Sequence, residues 1–174
     1  MPKLSGNKGE WSEIYAFLRL LEIKKLYAAD AELNKKDDMF YNIINIIRTE
    51  PIGTLEFRIN KADDTVSVIK TDTEDVLLTL PCDEFKTAAD NLYNEIISAN
   101  KSSFESQDTE EFLEQLNIGV LKAKSTDKAD IRIKIHDINT GYETVQGFSI
   151  KSRLGSPSTL CLLYTSPSPR DISG

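Results

Sequence analysis

Ile131-Arg-Ile-Lys-Ile-His136 restricts this chain more than any other segment, because isoleucine recurs at every second position with ionisable side chains between. Successive side chains of a strand point to opposite faces, so this run makes one apolar face and one polar face. That is the pattern of a strand packed against a core on one side only. Asp137-Ile-Asn-Thr-Gly141 follows as a hairpin turn, and Val145 to Ser152 reads as the return strand. The chain must therefore build a sheet and find something to cover its apolar face.

Helices supply the cover. Trp11, Ile14, Tyr15, Leu18 and Leu21 recur at helical spacing, which predicts a helix from Glu10 to about Leu26, greasy over most of its girth. Met39, Phe40, Ile43, Ile44 and Ile47 predict a second from Asp37 to Arg48, stopped by Pro51 and Gly53. Leu55 to Ile59, Val66 to Ile69 and Val76 to Leu80 read as an antiparallel meander, separated by turn-rich segments. A helix follows Pro81, with Asp83 as its N-cap and Phe85, Ala88, Ala89, Leu92 and Ile96 on its apolar face. A shorter one is expected near Thr109 to Leu116, and Ser156-Pro157 has the form of a further helix start.

With 40% hydrophobic and 28% charged residues the chain has the composition of a soluble globular domain. No apolar run reaches membrane-spanning length, and the polar start is no signal peptide. Two cysteines outside any CxxC pair, Cys82 and Cys161, argue against zinc and a disulfide framework and for a reducing cytoplasm. The net charge of −7 does not advertise a nucleic-acid binder. Between Leu121 and Leu160, however, seven Lys and Arg face four Asp and Glu, a net basic stretch in an acidic chain.

The end of the chain departs from all this. Cys161-Leu-Leu-Tyr-Thr-Ser-Pro-Ser-Pro-Arg-Asp171 has no apolar periodicity, and it back-translates in one frame to a common transposase sequencing adapter. Residues 161–174 are therefore expected to be non-native and disordered, and residues 1–160 to be the N-terminal part of a catalytic domain that continues in the natural protein.

Within the hairpin lies a constellation suited to phosphodiester hydrolysis, which needs a metal to activate water and a cation near the attacking oxygen. Asp130 begins the first strand, while Ser149 and Lys151, two apart on the second, share a face. Glu13 lies one turn before Phe17 on the greasy first helix, where a carboxylate is costly unless paired with a cation or metal. Each also has a plain structural reading: Asp130 as a turn cap, Lys151 as a solvated strand lysine, Glu13 paired with Lys8 or Arg19. Glu10 is the fallback acid on the same helix. Ser149 reads as a small spacer or water holder. His136, at the far end of its strand, and Cys82, at the core edge, read as structural.

The Asp130 and Ser149-Ile-Lys151 arrangement resembles the PD-(D/E)xK nuclease core, departing from it in carrying Ser149 where an acid usually stands. Lys8-Gly-Glu-Trp-Ser-Glu13 resembles the KGxxxE helix start of nucleases with this core, whose glutamate joins the metal site. Gly6 to Tyr15, Leu26 to Asp30 and Gly147-Phe-Ser-Ile-Lys-Ser-Arg-Leu-Gly-Ser-Pro-Ser-Thr-Leu160 are similar to the HpaII family of restriction endonucleases. The resemblance implies an α/β fold with a mixed central sheet flanked by helices, incomplete at the C-terminus. It implies Mg2+ held by Asp130, Glu13 and the Ile150 carbonyl, with Lys151 and Ser149 completing the catalytic set. Arg153, Ser156, Ser158 and Thr159 become candidates for DNA contact. The implied activity is cleavage of double-stranded DNA at a short palindrome, CCGG, by a homodimer when full length. A cytosine DNA methyltransferase would be the functional partner, and the fragment itself is expected to be inactive. A junction-resolving or nicking nuclease, and a non-catalytic DNA-binding domain of the same fold, are the alternatives.

Overall fold

A computed structural model describes residues 4–29, 32, 35–121, 131–152 and 160–163, with side chains for all of these except 29, 149–152 and 160–163. In chain order the elements are β1 (Ser5–Asn7), α1 (Lys8–Ile23), β2 (Lys25–Ala29), β3 (Lys35–Glu50), β4 (Gly53–Asn60), β5 (Thr65–Lys70) and β6 (Asp75–Pro81). They continue with α2 (Cys82–Ser98), β7 (Ser103–Glu105), α3 (Gln107–Gln115), β8 (Ile131–His136), β9 (Glu143–Ser152) and β10 (Leu160–Leu163). One sheet runs in the order β10-β9-β8-β3-β4-β5-β6, with β2 added to β3.

The β8–β9 hairpin forms as expected. Ile131, Ile133 and Ile135 are buried, Arg132 is exposed, and Ile131 is paired with Phe148. The meander β4–β5–β6 also forms from the expected runs. Every described pairing is antiparallel, which corrects the expected mixed sheet. Short turns join most sheet neighbours, and a hairpin can only be antiparallel, whereas a parallel pair needs a long crossover.

The larger correction concerns Asp37 to Arg48, which is strand β3 and not a helix. Ile43-Ile-Asn-Ile-Ile47 carries β-branched side chains whose stiff χ1 favours a pleated strand over a helix. The helical spacing has a specific origin: the register against β8 shifts between Ile43 and Asn45. Such a bulge inserts one residue. Core-facing Ile43 and Ile46 are thereby three apart instead of two, which mimics a helical repeat.

Helix α1 lies against β3, β9 and α2. Trp11, Ile14, Phe17, Leu18 and Leu21 are all fully buried, each contributing about 1.5–3 kcal/mol by transfer from water. Phe17 meets Phe57 of β4 edge-on, with ring centroids 4.8 Å apart. The Trp11 indole N–H donates to the Phe104 carbonyl at 2.9 Å, tying the helix to the small β1–β7 sheet. Helix α2 is capped at Pro81 with no side-chain hydrogen bond, so Asp83 is not its N-cap. Asp83 sits with Glu84 in the first turn, where carboxylates complement the helix dipole. Across the expected domain end, Leu160–Leu163 pairs with β9 as strand β10. The helix start at Ser156-Pro157 lies outside the described residues.

Candidate active site

Three chain segments meet around the start of α1. Asn7 caps the helix: its Oδ1 accepts from the Glu10 N–H at 2.8 Å, and the Glu10 carboxylate accepts from the Asn7 N–H at 3.1 Å. This reciprocal box satisfies two orphan donors of the first turn. It also occupies Glu10, the fallback acid, in closing the helix end. Immediately before the cap, Gly6 lies so close to Leu121 that an added Cβ would stand 2.6 Å from the Leu121 Cδ1.

Glu13 follows one turn later and is half-buried. Ala16, Phe17 and Leu20, its i+3, i+4 and i+7 neighbours, are all buried, so Glu13 stands at the upper end of the stripe that α1 turns to the core. Arg19, one of the two cations considered as its partner, is engaged elsewhere. Its Nη2 reaches the Asp90 carboxylate at 2.6 Å, its Nε donates to the Tyr15 hydroxyl at 3.0 Å, and Glu22 lies 3.9 Å away. The hydrogen bond from Arg19 holds the Asp90 carboxyl below its ordinary range.

The end of β3 supplies an arrangement that sequence reasoning does not find. The Arg48 Nε donates to Glu50 at 2.8 Å, and the Glu50 side chain is wholly buried. The other Glu50 oxygen accepts from the Gly119 N–H at 2.8 Å, while Arg48 Nη2 donates to the Val120 carbonyl at 2.8 Å. The Arg48 guanidinium also lies over the Phe17 ring, 5.3 Å from its centroid. A buried ion pair therefore fastens residues 119–120 to the sheet beside the helix that carries Glu13. The only trace in the sequence is an arginine and a glutamate two apart, a same-face spacing that becomes visible once the segment is known to be a strand.

The expected site residues fall into three groups. Glu13 is placed on α1, a helix that packs against β9 and β3 among others. Ser149, Ile150 and Lys151 are strand residues of β9, paired through their backbones with Leu163, Leu162 and Cys161. Asp130, Arg153, Ser156, Ser158 and Thr159 lie outside the described residues. The hairpin does bring Ile131, the residue after Asp130, beside Phe148, the residue before Ser149. His136 pairs with Glu143 at the other end of β8, about 17 Å along the strand from Ile131. It is remote from that end of the hairpin. Among the described residues no three His, Cys, Asp or Glu converge as a metal site.

No solved structure matches the chain. The type II restriction enzyme HpaII of Haemophilus parainfluenzae is 37% identical over 157 residues, which cover 90% of this chain and 43% of that protein. The chain thus spans about two fifths of the length of the curated relative it matches. The family model for the HpaII restriction endonuclease matches residues 7–166, from the Asn7 cap through both strands of the hairpin. Since the match runs continuously through the helix start, β3 and the β8–β9 pair, the chain belongs to the HpaII restriction endonuclease family.

Proposed function

We propose that this chain is the N-terminal part of a type II restriction endonuclease that hydrolyses both strands of DNA at CCGG. The observation that carries the reading is family membership across the whole hairpin, in which Ile131 pairs with Phe148. Asp130, Glu13 and the Ile150 carbonyl are the residues that would hold Mg2+; carboxylate and carbonyl oxygens are the donors that ion prefers. When bound, the ion neutralises charge on the scissile phosphate and acidifies water. Lys151 orients the attacking water and places a cation beside the charge that develops in the transition state. Ser149 leaves room for that water and holds it. Arg153, Ser156, Ser158 and Thr159 grip the flanking phosphates. The products carry a 5′-phosphate and a 3′-hydroxyl.

The working protein is a two-fold dimer matching its palindrome, paired in the cell with a cytosine methyltransferase that protects CCGG, and it acts in the cytoplasm. No described helix is long and apolar enough to cross a membrane. Residues 1–160 belong to the catalytic domain, and the stretch from Cys161 to Gly174 is adapter-derived.

The test is plasmid cleavage in magnesium by the uninterrupted reading frame recovered from its genome. Discrete bands at CCGG sites are expected, lost in Lys151→Ala and Asp130→Ala, while the 174-residue chain alone leaves the plasmid intact. A complete protein that binds a CCGG duplex in calcium but never cuts in magnesium would instead make Ser149 the mark of a non-catalytic domain. Preference for branched DNA over the plasmid would make it a junction-resolving nuclease.

A further inference from the structure

Strand β3 is much longer than its neighbours need. It pairs with β4 over Asn45–Glu50 and with β8 over Asn42–Ile47, so residues 35–41 have only β2 beside them. There Leu26, Tyr27 and Ala29 of β2 pair with Tyr41, Phe40 and Lys35, with an irregularity between Tyr27 and Ala29, so that a short two-stranded ribbon runs on past the rest of the sheet. One face of the ribbon carries a ladder: the Lys35 ammonium lies 4.5 Å from the Tyr27 ring centroid, Tyr27 packs on Phe40 at 5.7 Å, and the Lys25 ammonium lies 4.4 Å from the Phe40 centroid. Each ammonium is thus seated over a ring of the neighbouring strand.

That face is continuous with the side of the sheet opposite the helices. Lys25 pairs with Asn42, and Asn42 with His136; Asn45 pairs with Lys134, and Ile47 with Arg132. Cross-strand partners project to the same side. The ribbon's Lys25 and Lys35 thus share a face with Arg132 and Lys134 of β8, the strand that begins next to Asp130. Asp37 pairs with Lys35 at 3.2 Å and Glu143 with Lys134 at 3.7 Å, and Asp38 follows on the exposed stretch. Even so, cations outnumber acids along the Lys25–Arg132–Lys134 part of this face in a chain of net charge −7.

We infer that the β2–β3 ribbon is a DNA-binding arm, with Lys25 and Lys35 on backbone phosphates and the ribbon seated in the major groove of the duplex. A two-stranded ribbon fits that groove, which is about 12 Å wide. Its complement is a polyanion, and the face leads directly to the hairpin. The inference rests on the proposed function in that its ligand is the same duplex, and it adds where the duplex lies.

The test is fluorescence anisotropy of the 174-residue chain with a labelled CCGG duplex of about two helical turns, in calcium so that no cleavage occurs, at several salt concentrations. Lys25→Gln/Lys35→Gln is expected to weaken binding about tenfold at low salt and to reduce the slope of log K against log salt by about 2, one unit for each phosphate that a lysine no longer neutralises. Lys86→Gln/Lys101→Gln, on and just after α2, is the control and should leave both unchanged. Circular dichroism establishes that both variants are folded. Duplex binding with an unchanged slope in the ribbon variant overturns the arm and leaves the endonuclease reading intact. Absence of duplex binding by the unaltered chain overturns the arm, while the endonuclease reading stands or falls separately on plasmid cleavage by the complete reading frame. A concentration-dependent dimer abolished by the ribbon substitutions, with DNA affinity unaffected, assigns the face to a second copy and overturns the inference.

Discussion

Replacing Glu50 by alanine tests the buried pair at the end of β3. The carboxylate is wholly enclosed and the Arg48 side chain is 10% exposed, so removing one partner strands a guanidinium where water cannot replace it. Breaking a buried ion pair in this way costs about 3–5 kcal/mol. The Gly119 N–H loses its acceptor as well, worth roughly 1 kcal/mol or more. Arg48 keeps its bond to Val120 and its place over Phe17, which pulls the total toward the low end, about 3 kcal/mol. Set against a stability of about 5–15 kcal/mol for a domain, that loss lowers the melting temperature by roughly 6–12 °C. Urea unfolding followed by the fluorescence of Trp11, the single tryptophan and fully buried, measures it directly. Glu50→Leu with Arg48→Met should recover most of the loss, because an apolar pair avoids the desolvation of two ions. A loss under about 1 kcal/mol for Glu50→Ala, or a double variant no better than the single, refutes the reasoning.

Gly6→Ala should destabilise the chain by about 1 kcal/mol through collision with Leu121, and Leu121→Ala in the same chain should remove part of that penalty, a coupling that a double-mutant cycle reads. Asp90→Asn should cost a few tenths to about 1 kcal/mol at pH 7, since Asp90 is 47% exposed and its bond to Arg19 is screened. Because the folded Asp90 carboxyl titrates below its unfolded value, its contribution is complete above that unfolded value and disappears as pH falls through the folded one. The stabilities of the two proteins should accordingly begin to approach each other only as pH falls below about 4. Burial pushes the Cys82 thiol up to about 11, so in a Cys161→Ser background an aromatic disulfide reagent at pH 8 should react slowly until urea is added; immediate reaction in the fold contradicts that burial.

Features decided by neighbours in sequence are legible from sequence. The alternating isoleucines of β8, the turn after them, the meander β4–β5–β6 and the apolar stripe of α1 each depend on local periodicity and turn chemistry. So does the pairing of Ile131 with Phe148, because a hairpin's register follows from its loop. β3 reads as a helix because its bulge gives a strand helical spacing, and that bulge is set by the partner strand β8.

The order of amino acids alone determined the hairpin, the amphipathic first helix and the family to which they belong. Only the folded chain decided that β3 is a central strand, that Arg48 and Glu50 form a dry ion pair holding residues 119–120, and that Lys25 and Lys35 each stand over an aromatic ring of the neighbouring strand. The physical reason is range. Turns and amphipathic periods are satisfied within a few residues, whereas a bulge, a buried charge pair and a cross-strand ladder take their free energy from groups far apart in sequence that meet only when the sheet closes.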